Sequence, residues 1–492
     1  MKKNFARKAA ALSLSIVMVS GIAACGGGSS DSTNTTDSAD LANPEKPEEI
    51  TVMMDTIITA ENGQQDVADK YEENTGIKLS IEQPDHNNYY EKVTLSFASG
   101  TPANVIEVGS TYYPEFANTG VLWDMTDAWD QTTENCKNII DEDYVDALRI
   151  DGRLYGFPMA KGNGTITYVR QDWLDEAGLA LPTNYDEFIN MLRTFKNRGE
   201  GTIPYTAAGF MNNNETPYEI YLREFYQDAS PDFVYDEASG QYIDGFAQEN
   251  FKEALQRMRD AYQEGLIDAE IVTNKTSTCR DKLYSGLVGV MNYWAGSWAQ
   301  KLEDSVQNAD PNAKLTAMPA IEECNYIERV PTAMVITAAA DNPAGIFKYF
   351  VMYSHDGGEG QMLFTHGVED KHYKVQEDGS TVALGYYSNP ETLVEKSFYA
   401  PELSITEWDD PIQLDERIYS SLETFEADRV FASLPLTSDV ISENLANLNT
   451  VKGEVLANVV HGNMSVDEGL EDYQTRASGY VDAILADLNG GE

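Results

Sequence analysis

Along residues 50–108, apolar positions switch between two periods. Ile50-Thr51-Val52-Met53-Met54 reads as a buried strand, and Gln64 to Asn74 as a helix stopped by Gly76. Ile77 to Ile81 alternates like a second strand, Asn88 to Ala98 is helical, and Asn104 to Val108 is a third strand. Strand–helix alternation at this spacing predicts a parallel sheet covered on both faces. Ligands in such sheets gather at the carboxyl ends of the strands. That singles out Asp55 after the first strand and Gly109 to Tyr113 after the third.

The rest of the chain repeats the theme. Ile150 to Pro158 reads as a hairpin turning at Asp151-Gly152, and Thr165 to Val169 as a strand. Thr183 with Asp186 predicts a helix cap before Phe188, Met191, Leu192 and Phe195. Phe251, Ala254, Leu255, Met258 and Ala261 recur at helical spacing. Leu287 to Met291 and Thr332 to Thr337 read as buried strands, and Ser465 with Glu468 as a capping box. A second α/β region thus echoes the first, which predicts two lobes.

The N-terminus is organised differently. Lys2, Lys3, Arg7 and Lys8 precede an apolar stretch from Ala9 to Ala24, as in a secretory signal. Ile22-Ala23-Ala24-Cys25 resembles a bacterial lipobox. That resemblance implies a signal peptide over 1–24 and a diacylglycerated Cys25, which would anchor the chain to the outer face of the cell membrane. Residues 26–49, rich in Gly, Ser, Thr, Asn and Asp, predict a flexible tether.

Composition narrows the partners. The 492 residues suit two or three domains, and 34 basic against 81 acidic side chains give a formal charge of −47. That balance argues against a nucleic-acid ligand, which needs basic stripes, and suits a neutral or weakly charged ligand more than an anionic one. With Cys25 acylated, Cys136, Cys279 and Cys324 remain, an odd number without CxxC spacing, which argues against a zinc cluster or a disulfide scaffold and leaves room for at most one bridge.

Gly152-Arg153-Leu154-Tyr155-Gly156-Phe157-Pro158, Tyr168 to Leu174, Gly178-Leu179, Pro182-Thr183 and Asp186-Glu187-Phe188 resemble one long block of a known family. Thr75-Gly76-Ile77, Tyr89 to Lys92, Ala98 to Pro102, Gly286 to Trp298 and Gly367-Val368-Glu369 extend the likeness from residue 50 to about 490. The family is that of the maltose-binding-like extracellular solute-binding proteins of carbohydrate ABC transporters. It implies an α/β, two-lobed periplasmic-binding-protein-like fold of type II, with the ligand cleft between the lobes. By analogy, lobe 1 comprises 50–157 plus about 335–385, and lobe 2 comprises 158–334 plus about 386–492. The chain would cross near Phe157-Pro158, return near Val330-Pro331 and cross again within 380–400. Where relatives carry a calcium loop, Lys196 to Gly201 lacks spaced carboxylates, so no metal and no cofactor are expected.

A sugar presents apolar ring faces and a rim of hydroxyls, matched by aromatic platforms and a few polar groups. The resemblance puts Trp294 first, then Trp298, in the segment Asn292 to Trp298. Tyr112 and Tyr113, the loop residues Phe210, Asn212 and Asn214, Asp55, Trp408 and Asn88 complete the expected ligand set. The implied function is a monomeric, membrane-anchored receptor that captures an oligosaccharide and hands it to ABC permease subunits. The alternatives are a secreted, lipid-anchored glycoside-active enzyme, or a receptor for a peptide or other polar solute. Ser354-His355-Asp356 is no catalytic triad, because adjacent residues cannot converge as nucleophile, base and orienter.

Overall fold

A computed structural model describes Leu41 and residues 43–490, apart from 56–58, 60–62, 86–87, 133–136, 209–220, 380 and 385–399. The expected signal peptide and Cys25 lie outside the described residues, as do most of the tether and Cys136.

Among the described residues, the first sheet has five strands in the order Lys78–Glu82, Glu49–Met53, Val105–Val108, Ala333–Ile336, Phe157–Pro158. The first three are parallel, with Ile50 opposite Leu79 and Val52 opposite Val105. Ala333–Ile336 runs antiparallel to both of its neighbours. Helices Gln64–Thr75 and Tyr89–Ser99 connect the parallel strands, within a residue of where hydrophobic spacing puts them. The second sheet has the order Leu315–Met318, Thr165–Arg170, Val288–Trp294, Ile203–Ala207. Here Val288–Trp294 is parallel to Ile203–Ala207 and antiparallel to Thr165–Arg170.

Each sheet carries its own core. One gathers residues 50–159, 330–364 and Ile405; the other gathers 166–326 and 418–484, including the long C-terminal helices Asp439–Val460 and Val466–Leu488. Among the described residues no helix is long and apolar enough to cross a membrane.

Two connections between the cores are in close contact. A Cβ at Gly162 would stand 1.6 Å from the Arg329 carbonyl oxygen, and one at Gly164 2.2 Å from that of Ile327. Asn163 between them is left-handed (φ 56°), and its carbonyl accepts the Arg329 N–H at 2.9 Å. Buried Glu328 pairs with Arg429 and accepts from the Tyr144 hydroxyl at 3.3 Å. Burial pushes its carboxyl upward and Arg429 opposes that.

Four expectations need correction. The tether ends earlier than Glu49, because Leu41 packs on the first core and the Lys46 ammonium donates to the Thr75 carbonyl at 2.5 Å. The third passage extends past the expected 380–400, of which 385–399 lie outside the described residues: within 401–414, Leu403 and Leu414 pack on the second core, while Ile405 sits in the first and Thr406 bridges Ile140. The helix Tyr185–Lys196 is capped by Asn184, whose side chain accepts the Glu187 N–H; Thr183 instead donates to the Glu187 carboxylate. The strand expected to end at Met291 runs on to Trp294, because pairing with Thr165–Arg170 continues through the polar positions. The capping box at Ser465 and the hairpin turn at Asp151-Gly152 are as the sequence predicts.

His355 is buried, its Nδ1 2.9 Å from the Val351 carbonyl and its ring 5.3 Å from that of Phe157. Burial pushes it down to about 4. Unfolded, it would titrate near its ordinary value of about 6.5. As pH falls through that window, the unfolded chain takes up a proton that the folded chain refuses, so stability declines. The expected loss is at most about 3 kcal/mol by pH 4. Urea unfolding at pH 4.5 and 7 should show a smaller pH difference in H355F than in the wild type; equal differences would refute the assignment.

Candidate functional site

Strand register brings two sets of side chains to the junction between the lobes. In the first sheet the parallel strands end where Ala333 pairs with Val108 and Pro158, beside the two close connections. In the second, Trp294 ends its strand opposite Thr165, where the outgoing connection enters that sheet. The carboxyl ends of both sheets therefore flank the region where the chain passes between lobes.

On the first lobe, Asp55 follows the first strand, and its N–H donates to the largely buried Glu107 carboxylate at 2.9 Å. Gln83 donates to the Asp55 carbonyl at 3.2 Å. After the third strand, Tyr112 is 37% exposed and stacks on Tyr90 at 3.7 Å between centroids, with the planes 17° apart. Tyr90 is held by its hydroxyl, which accepts the Gly109 N–H at 2.8 Å. The pair is a rigid aromatic surface because its inner ring is fixed by the backbone.

On the second lobe, Trp294 is half-buried. Its carbonyl accepts the Tyr168 hydroxyl at 2.9 Å, and Tyr221 meets its ring edge-on at 6.2 Å. The Arg329 guanidinium lies over the indole, 4.2 Å from the centroid. Next to it begins the helix Ser297–Val306, where the Ser297 N–H donates to Glu402 from the third passage at 3.2 Å. Lys161 on the outgoing connection pairs with Glu426 at 2.5 Å.

The other expected residues have their own surroundings. Tyr113 is fully buried and its hydroxyl donates to the Leu148 carbonyl at 2.7 Å, so it is a core residue with no surface to offer. Trp298 packs against Tyr293 at 4.9 Å, and Arg280 and Lys301 lie 4.8 and 4.4 Å from its ring. Adjacent strand residues face opposite sides of a sheet, so Tyr293 draws Trp298 away from the Trp294 side. Trp408 stands 6.2 Å from the His366 ring. Asn88 is exposed and its amide donates to Asp85 at 3.3 Å. Phe210, Asn212 and Asn214 lie outside the described residues. Among the described residues, Cys279 and Cys324 are free thiols that burial pushes up to about 12.

Tyr90, Glu107, Arg329 and Glu402 join the junction without having been expected. Tyr90 carries a partial signal, since it sits one helical turn before Val93 and next to the core residue Tyr89. The other three are marked by nothing local.

Comparison with known proteins fits this architecture. Diacetylchitobiose binding protein DasA of Streptomyces coelicolor is 31% identical over 189 residues, 38% of this chain and 41% of DasA. The match thus spans about two fifths of that relative. Lipoprotein LipO of Bacillus subtilis is 22% identical over 82% of this chain and 83% of its own. The solved N-glycan transport solute binding protein NgtS of Streptococcus pneumoniae superposes with a TM-score of 0.64, at 15% identity, over 90% of this chain and 99% of its own. Residues 59–358 match the profile of the bacterial extracellular solute-binding proteins, and this two-lobed chain belongs to that family.

Proposed function

We propose that the chain is a receptor that captures an oligosaccharide between its lobes and delivers it to the permease subunits of an ABC importer. The observation that carries this reading is the pair of aromatic surfaces, Trp294 on one lobe and Tyr90–Tyr112 on the other, at strand ends flanking the same junction. Two such surfaces suit the two faces of a sugar ring, and contacts to both lobes supply the differential affinity that closure requires. The carbohydrate class also accords with the relatives named for diacetylchitobiose and N-glycans. Asp55 and Glu402 are polar groups suited to orient hydroxyls.

The protein binds and does not cleave its ligand. Residues 1–24 act as the signal peptide, acylated Cys25 anchors the monomer outside the cell, and residues after Cys25 tether the lobes to the membrane. The test is a thermal-shift screen of residues 26–492 with diacetylchitobiose, raffinose and an N-glycan-derived oligosaccharide, each mixture being chromatographed afterwards. A ligand at 100 times its Kd adds about 2.7 kcal/mol to stability. A raised melting temperature with intact sugar is expected. Shorter products would make the protein an enzyme, and no shift with any saccharide would reject the ligand class.

A further inference from the structure

The indole of Trp294 already has an occupant. The Arg329 guanidinium covers one face with Cζ 4.2 Å from the centroid, within the range where a cation is held by the ring quadrupole. The two residues belong to different parts of the fold. Trp294 ends a central strand of the second sheet, whereas Arg329 lies on the returning connection between lobes.

Arg329 is also tied to the outgoing connection. Its N–H donates to the Asn163 carbonyl at 2.9 Å, and its Nε to the Gly162 carbonyl at 3.4 Å. Asn163 in turn donates through its side-chain amide to the carbonyl of Ala295, the residue after Trp294, at 3.3 Å. Platform, guanidinium and both connections therefore form one contiguous contact set.

A saccharide stacks by laying its C–H face on an indole, the same area that the guanidinium covers. We propose that Arg329 sets the affinity of the Trp294 subsite by occupying its stacking face in the ligand-free protein and yielding it to the saccharide. This rests on Trp294 being a saccharide platform. Because Arg329 sits on a connection between lobes, yielding the ring also releases a contact that holds that connection to the second lobe. Binding and hinge bending then meet at one residue.

The test uses residues 26–492 as wild type, R329A, W294A, W294F and the double variants R329A/W294A and W294F/R329A. Without ligand, acrylamide should quench fluorescence more in R329A than in the wild type, and the excess should be missing when the emission of Trp294 is removed in W294F/R329A. Calorimetry with diacetylchitobiose, raffinose and an N-glycan-derived oligosaccharide should show R329A binding about two- to thirtyfold tighter, the range spanned by a cation–π contact. That gain should vanish in the W294A background. Unchanged or weaker binding in R329A, with W294A still weakening it, would overturn the proposal and leave the receptor reading intact. Unchanged quenching would overturn it as well. No binding of any saccharide to wild type or R329A would instead overturn the receptor reading, and the proposal with it.

Discussion

Replacing Trp294 by Ala is expected to weaken saccharide binding by about one to two orders of magnitude, the scale of losing an aromatic stacking face. W298A should change affinity far less. The two tryptophans are four residues apart, but only Trp294 terminates its strand at the junction. Trp298 packs on Tyr293 with Arg280 and Lys301 beside its ring, so its loss chiefly uncovers those neighbours. Isothermal calorimetry on both variants, with melting temperatures to confirm folding, separates the roles. A folded W294A with wild-type affinity, or W298A as the more damaging change, would sink the assignment of Trp294 as the platform.

The largest effect on stability is expected at Gly162. A methyl group there would meet the Arg329 carbonyl oxygen at 1.6 Å, and backbone atoms cannot rotate away as a side-chain tip can. G162A should therefore cost about 4 kcal/mol or more, the size reserved for forced displacement of packed backbone. G199A is the matched control, since a Cβ at Gly199 meets nothing within 4 Å. It should stay within about 0.5 kcal/mol of the wild type. Urea unfolding monitored by circular dichroism measures both. If G162A unfolds within about 1 kcal/mol of the wild type, the two connections are not in contact as described.

Both predictions come from places where chain segments far apart in sequence meet, and the same division governs how much could be read without the fold. The strands around Ile50, Leu79 and Val105 and the helices between them were legible because burial of one face imposes a period on the residues themselves. Short-range chemistry was equally legible: Ser465 and Glu468 satisfy each other within one turn, and Asp151-Gly152 adopts the positive φ that a tight hairpin demands. The family likeness rests on such local blocks, which is why two lobes could be expected from motifs strung along one chain.

Within the site, the sequence singled out Trp294, Tyr112 and Asp55 by their place after strands. It could not separate Tyr112 from Tyr113, because one residue's rotation in the first turn of a helix sends one ring to the surface and the other into the core. It ranked Trp294 ahead of Trp298 by resemblance alone, since the physical distinction depends on how far pairing with Thr165 extends a strand whose apolar run stops at Met291.

What the sequence alone determined is what nearest neighbours decide: periodicity, caps, turns, charge and the order of motifs. Tertiary structure alone decided which ring faces the junction, that Arg329 covers Trp294, that Glu402 reaches Ser297 across 105 positions, and that residues 401–414 run between the cores. The physical reason is that such contacts join segments whose proximity is created by packing two sheets, and no residue carries a local mark of a partner brought to it by another part of the chain.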